Sequence, residues 1–348
     1  MSKLGQGVGG ARRFQQRYAP FIALAIGVLA RVLSHHGVDF APKAVALLAL
    51  AWMLPFALAR WAAPAANAAP AAGTDPALAA TAPPRPPLAV RLARTASTTV
   101  VVALYRNVLF FLVPIWFGSA TLSSINLVFP LALAGMALFS CFDRSYRELI
   151  LERPAARTAW GFLILFAALV PAVAVTASLS PRWAAILSAA IAFLLTGAAL
   201  LPRERLFNRR SQSRIAAAAA VGAVVITLVA PGLPPVPLVC HHAAFGSGVT
   251  DRALVEPSQR FPAGVPRLYA WFAVTLPAIY RQGINFQWYY QGRAAGRPIP
   301  SSVVGGRKEG FRTWSYLSAP SPGKWRVDVL TDAGQLICRE SAVVGEGS

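Results

Sequence analysis

Charge is scarce in this chain: Asp, Glu, Lys and Arg make up only 13% of its 348 residues. A soluble domain carries about a quarter, so this chain lacks the polar surface to cover itself in water. Acidic residues are the scarcest, 13 against 33 basic ones, and no chain of Asp, Glu or His runs through the apolar stretches as a proton-coupled carrier needs. Three cysteines exclude a disulfide-dense scaffold. Gly-x-Ser-x-Gly, His-Glu-x-x-His and phosphate-loop patterns are all missing, which removes the commonest signatures of hydrolases, zinc proteases and nucleotide binders. No cofactor or metal is predicted, and nothing signals an oligomeric state.

What the chain has is apolar residues, 56% of the total, with a mean hydropathy of +0.52. Disorder is excluded on the same ground. Seven apolar stretches run roughly Tyr18–Leu33, Ala44–Trp61, Thr98–Gly118, Ile125–Cys141, Trp160–Ala177, Trp183–Leu201 and Ile215–Pro231. Each approaches the ~20 residues that cross about 30 Å of hydrocarbon as a helix. Basic residues sort with them. Seventeen lie before Tyr18 and in alternate loops (Arg60 to Arg94, Arg144 to Arg157, Arg203 to Arg214), against Lys43 and Arg182 in the others. The positive-inside rule then puts the N-terminus in the cytoplasm and, after seven crossings, the C-terminus outside. The same placement accounts for the net charge of +20 without nucleic acid; the partner it implies is the lipid bilayer. Twenty-nine Arg against four Lys, with abundant Ala, suggest a bacterial genome rich in G and C, hence a bacterial inner membrane.

The organisation expected is a basic cytoplasmic N-terminus over 1–17, transmembrane helices one and two over 18–61, and an Ala/Pro-rich linker over 62–97. Its paired prolines at Pro83-Pro84 and Pro86-Pro87 cannot continue a helix. Helices three to seven follow over 98–231, then a Pro-rich connector over 232–247 and a periplasmic domain over 248–344. Inside the membrane part, Arg106, Asn107 and Asn126 stand out. They form either a polar site within a helical hairpin, for transport or sensing, or in Arg106 a side chain snorkelling to the cytoplasmic interface.

Beyond Pro231 the pattern changes to period two. Leu268, Ala270, Phe272 and Val274 alternate with Arg267, Tyr269 and Trp271; Ile284, Phe286 and Trp288 with Asn285, Gln287 and Tyr289; Trp325, Val327 and Val329 with Arg326 and Asp328. One apolar face per strand marks half-buried antiparallel strands. Four more are expected at Val249–Glu256, Ile299–Val304, Phe311–Leu317 and Gln335–Val344, separated by Gly- and Pro-containing turns. The fold class is thus an all-α polytopic membrane domain followed by an all-β, immunoglobulin-like β-sandwich.

Three segments carry a resemblance: Ile284–Tyr290 (INFQWYY), Phe311–Tyr316 (FRTWSY) and Gly323–Val329 (GKWRVDV). They resemble an uncharacterised bacterial domain of unknown function (DUF2914-like) that commonly closes multi-span membrane proteins, over roughly Gly248–Val344. The preceding region is similar to the membrane part of such proteins through Asn107, Pro114, Ser119, Thr121, Asn126, Asp143 and Tyr146. The family pattern often has a histidine two positions before the first tryptophan, where this chain has Phe286. The resemblance implies architecture and location and no assigned activity.

Binding candidates are the aromatic and polar groups that the alternation turns away from the core: Tyr269, Trp271, Tyr289, Arg312, Trp314 and Tyr316. They suit stacking on sugars or gripping a peptide, or resting on lipid headgroups. Cys240 precedes the first expected strand, Cys338 lies in the last, and both are expected outside, which makes them the candidate disulfide, while Cys141 reads as an inert buried thiol. His35-His36 and His241-His242 fall on one side of the membrane, without a ligand spacing. The expected function is a non-enzymatic envelope module whose sandwich binds a periplasmic protein or glycan. The alternatives are a transporter or flippase with the sandwich as accessory and, more weakly, a membrane enzyme.

Overall fold

The computed structural model describes residues 105–200, 208–278 and 280–345. The N-terminus, the first two expected spans and the Ala/Pro linker lie outside them. Residues 105–118 form α1. A tight connection with a 3-10 turn at Ile125–Leu127 leads into α2 (Val128–Phe139). A helical turn at Asp143–Tyr146 and a π-turn at Arg147–Leu151 precede α3 (Pro154–Ala177), α4 (Pro181–Leu200) and α5 (Arg209–Val229). Six helices are therefore described where the sequence predicts spans three to seven. Two of them, Pro154–Ala177 and Arg209–Gly232, are long and apolar enough to cross a membrane. Ile125–Phe139 and Pro181–Gly197 are shorter apolar stretches; at ~1.5 Å per residue, fifteen residues reach only about 22 Å. Seven spans are thus not shown.

The helices pack by close approach and by specific polar contacts. α4 lies between α3 and α5, and at Gly222 on α5 a Cβ would overlap the Phe193 ring of α4. Pro171 sits buried inside α3, where its missing N–H leaves the carbonyl of residue 167 without its helical donor. That carbonyl is taken instead by the indole N–H of Trp116 from α1, at 3.0 Å. Trp116→Phe should therefore cost about 1–3 kcal/mol by stranding a buried carbonyl. Adding Pro171→Ala should recover much of the loss, because alanine restores the donor; a double-mutant cycle on thermal melts measures it.

The β-domain has eleven strands: β1 (Val239–Gly246), β2 (Gly248–Thr250), β3 (Ala253–Val255), β4 (Arg260–Phe261), β5 (Arg267–Thr275), β6 (Arg281–Tyr290), β7 (Arg293–Ala294), β8 (Ile299–Val304), β9 (Phe311–Ser318), β10 (Gly323–Thr331) and β11 (Leu336–Val344). A three-stranded sheet has the order β1-β5-β9, and a six-stranded sheet runs β4-β11-β10-β6-β7 with β8 also on β6. One core joins them: Leu268, Phe272 and Val274 from the first sheet meet Phe286, Trp288, Val327 and Val329 from the second. The buried Trp288 indole N–H is satisfied across this core by the Ser315 hydroxyl of β9, at 3.0 Å. This explains a polar residue at an inward position.

Two differences from the expected strands have a physical cause. The segment read as one strand over Val249–Glu256 is the hairpin β2–β3, turned at Asp251 and Arg252, both with positive φ. The segment 232–247, read as a connector, contains β1. Its alternation is broken by a bulge between Cys240 and His242, so an irregular stretch without period two hides a strand.

Candidate functional site

Five of the six aromatic and polar candidates come together. On the outer face of the three-stranded sheet, Tyr269 pairs with Tyr316, Trp271 with Trp314 and Ala273 with Arg312 across β5 and β9. The Tyr269 and Tyr316 rings lie 5.5 Å apart, and Arg267 sits 5.4 Å over Tyr316. A hydrogen bond with Tyr269 holds the Arg267 guanidinium above its ordinary value, and charge interaction with Tyr269 and Tyr316 adds to this. His242 of β1 adds its ring 5.8 Å from Trp271, turned outward by the bulge. Trp271 is covered, its N–H donating to the Arg252 carbonyl of the β2–β3 turn at 3.0 Å. Trp314 and Tyr316 remain open, 38% and 50% exposed.

Tyr289 lies elsewhere, on the outer face of the six-stranded sheet. There Arg326 stacks on it at 4.1 Å, beside a buried carboxylate. Asp328, in mid-strand and only 3% exposed, accepts two hydrogen bonds from Arg339 at 2.8 and 2.7 Å, and Arg326 approaches it at 3.3 Å. These bonds hold the Arg339 guanidinium above its usual range against the opposing effect of desolvation. Alternation of charge across Arg326-Val327-Asp328 was visible; the arginine opposite, on β11, is a matter of register and was not.

The three polar residues expected inside the membrane part do not converge. Arg106 is buried and donates to the Ser140 carbonyl just beyond the C-terminus of α2, at 2.6 Å, where a cation meets the negative end of the helix. Asn107 is exposed. Asn126, buried at the other end of α2, accepts from the Thr121 amide at 3.0 Å and donates to the Leu336 carbonyl of β11 at 3.1 Å. Thr121 donates to the Ile337 carbonyl, and Arg339 to the Ser123 carbonyl. Ile337 is the bulged residue of β11. Two successive carbonyls of this stretch are therefore capped by hairpin side chains, which cover part of the strand's outer edge. On the other side of the junction the buried Tyr280 hydroxyl donates to the Leu179 carbonyl between α3 and α4, its phenol pushed above its ordinary pKa by that burial.

Cys240 and Cys338 are joined in a disulfide, with Cα atoms 5.5 Å apart. Both stand beside a bulge, at His241 and at Ile337, and each bulge turns its cysteine inward between β1 and β11. Cys141 is half-buried, its thiol 3.5 Å from the Ala137 carbonyl. No group of three or more His, Cys, Asp or Glu side chains that could hold a metal occurs among the described residues.

Residues 281–341 match a protein family described as Protein of unknown function (DUF2914). The DUF2914 segment begins at the first residue of β6 and ends within β11, a shorter stretch than the resemblance over Gly248–Val344 suggested. It contains Tyr289, Asp328, Arg339, Trp314, Tyr316 and Cys338. Tyr269, Trp271 and Cys240 precede it. No curated protein matches the chain. Among solved structures, a similar chain is that titled Crystal Structure of beta-glucosidase from Listeria innocua in complex with glucose, at 14% identity and a TM-score of 0.18. The match covers 25% of this chain and 15% of that one.

Proposed function

We propose that the protein is a multi-pass module of the bacterial inner membrane. Its C-terminal β-domain, of immunoglobulin-like sandwich form, faces the periplasm and binds a glycan or protein there. The observation that carries the binding role is the open pair Trp314 and Tyr316, aligned with Tyr269 and Trp271 and flanked by Arg267 and Arg312. Exposed rings backed by a sheet are held rigid at little entropic cost.

The membrane placement is supported by apolar surface that water would penalise. Val221, Val224, Val225 and Leu228 of α5 are exposed, Leu228 by 75%, and a patch of that kind suits lipid. Arg147, Arg153, Arg157, Arg209, Arg210 and Arg214 are exposed at the helix ends away from the β-domain, as a cytoplasmic face requires. The disulfide fits an oxidising compartment on the other side.

The test uses the full chain in lipid nanodiscs, incubated with envelope extract. The wild type should retain an envelope component that Trp314→Ala with Tyr316→Ala loses by about tenfold or more, the scale of losing hot-spot aromatics. Protease treatment of the extract separates a protein partner from a glycan. Equal retention by wild type and variant removes this face from the reading.

A further inference from the structure

A second site lies at the junction between the helices and the β-domain. The connection from α3 to α4 contributes Ser180, and the first turn of α4 contributes Arg182 and Trp183; the start of β6 contributes Gln282; and the β10–β11 turn contributes Asp332 and Gln335. Together they enclose a cavity of about 240 Å³, below the size of drug-like pockets and suited to a small polar group.

Its polar groups are left incomplete by the protein. Gln335 is 1% exposed; its amide N–H donates to the Leu233 carbonyl at 3.4 Å, yet its Oε1 has no partner among the described residues. Arg182 Nε, also buried, has none either. Asp332 is exposed; it accepts from Asn285 on Oδ1 and packs so closely over Gly283 that a Cβ there would collide with its carboxylate. Arg182 and Asp332 thus line one small cavity with opposite charges and no ion pair between them. Gln335 Oε1 and Arg182 Nε, being buried, are the groups that are costly to leave unpaired.

The geometry points to a binding site for a compact zwitterion carrying a primary ammonium and a phosphate. The anion meets Arg182, and the ammonium N–H groups meet Gln335 Oε1 and the Asp332 carboxylate. The phosphoethanolamine headgroup has this chemistry. The cavity opens where α3 ends and beside Trp183, which is 61% exposed, as aromatic side chains are at a membrane surface. The lipid as source rests on the membrane reading above; the recognition chemistry does not.

Full-length protein in detergent, titrated by calorimetry with dihexanoyl lipids, tests it. The ethanolamine lipid should bind roughly tenfold or more tightly than the choline lipid, whose methyl groups remove every ammonium N–H, and than the glycerol lipid, which has no cation. Arg182→Gln and Gln335→Met should each weaken it by a similar factor; the second keeps side-chain volume and serves if the first misfolds. Soluble phosphoethanolamine is the other arm. Binding as tight as the lipid's, with the same sensitivity to both variants, supports the site and assigns a soluble ligand. Binding of the lipid alone supports it and assigns the bilayer. Equal binding of all three lipids, indifference to both variants, or no binding of lipid or phosphoethanolamine overturns it. Trp314→Ala with Tyr316→Ala lies on a different face and should leave this binding unchanged, so the two proposals fail separately.

Discussion

Full-length protein with Cys240→Ala and Cys338→Ala is expected to lose up to about 4.7 kcal/mol of β-domain stability, the chain-entropy value for a loop near 100 residues. The bond joins residues 98 apart and so encloses the domain from β1 to β11. Its weight is large because β1 and β11 belong to different sheets. Without it, packing across the shared core holds the two strands together. Chemical denaturation followed through Trp288 and Trp325, both buried in the core, gives the midpoint. Reduced wild type should unfold with the double variant and well before oxidised wild type, while Cys141→Ala should melt unchanged. Coincident curves for oxidised and reduced protein would show that the bond adds nothing. The same cysteines report sidedness: an impermeant thiol reagent applied to intact cells should label them only after reduction.

The strands with clean alternation were legible in the sequence because a half-buried sheet writes its face directly into the residue pattern. β5, β6 and β10 cover the segments where that alternation was read. β1 was not legible, and its bulge is the reason. Cys240 and His242 are two apart and would share a face in a regular strand, yet one faces the core and the other lies against Trp271. A single inserted residue breaks period two without leaving a compositional mark. The disulfide pair could be named by elimination among three cysteines, whereas the inward turn that brings the pair together could not.

The polar residues of the helical part show a second limit. Asn126 was singled out because an amide is expensive in hydrocarbon, and it is indeed buried. Its partner, however, is a β11 carbonyl 210 positions away. Arg182 and Gln335, which share a cavity, are likewise far apart in the chain. Sequence periodicity reports which face of an element is apolar and says nothing about which distant element covers the exceptions. The aromatic face was readable because its members lie on neighbouring strands with the same alternation; the junction was not, because its members alternate with nothing.

That junction makes Arg339 the residue whose loss should be felt most widely. Arg339→Leu removes both hydrogen bonds to Asp328 and the bond to the Ser123 carbonyl. It leaves a carboxylate that is 3% exposed with only Arg326 nearby, itself committed to the Tyr289 ring. Breaking a buried pair from one side costs about 3–5 kcal/mol, chiefly because the remaining charge is uncompensated. Asp328→Leu combined with Arg339→Leu should therefore be less destabilising than Arg339→Leu alone, since no buried charge is stranded. Arg339→Lys keeps the charge but not the planar fork, which alone can grip the carboxylate and reach Ser123 together; it should fall between the two. Denaturation midpoints order the three variants. If the single leucine variant were no worse than the double, the stranded carboxylate would not be the source of the loss. Proteolysis at the β11 edge separates the second role, because releasing Ser123 should expose that edge in all three variants, whatever happens to the carboxylate.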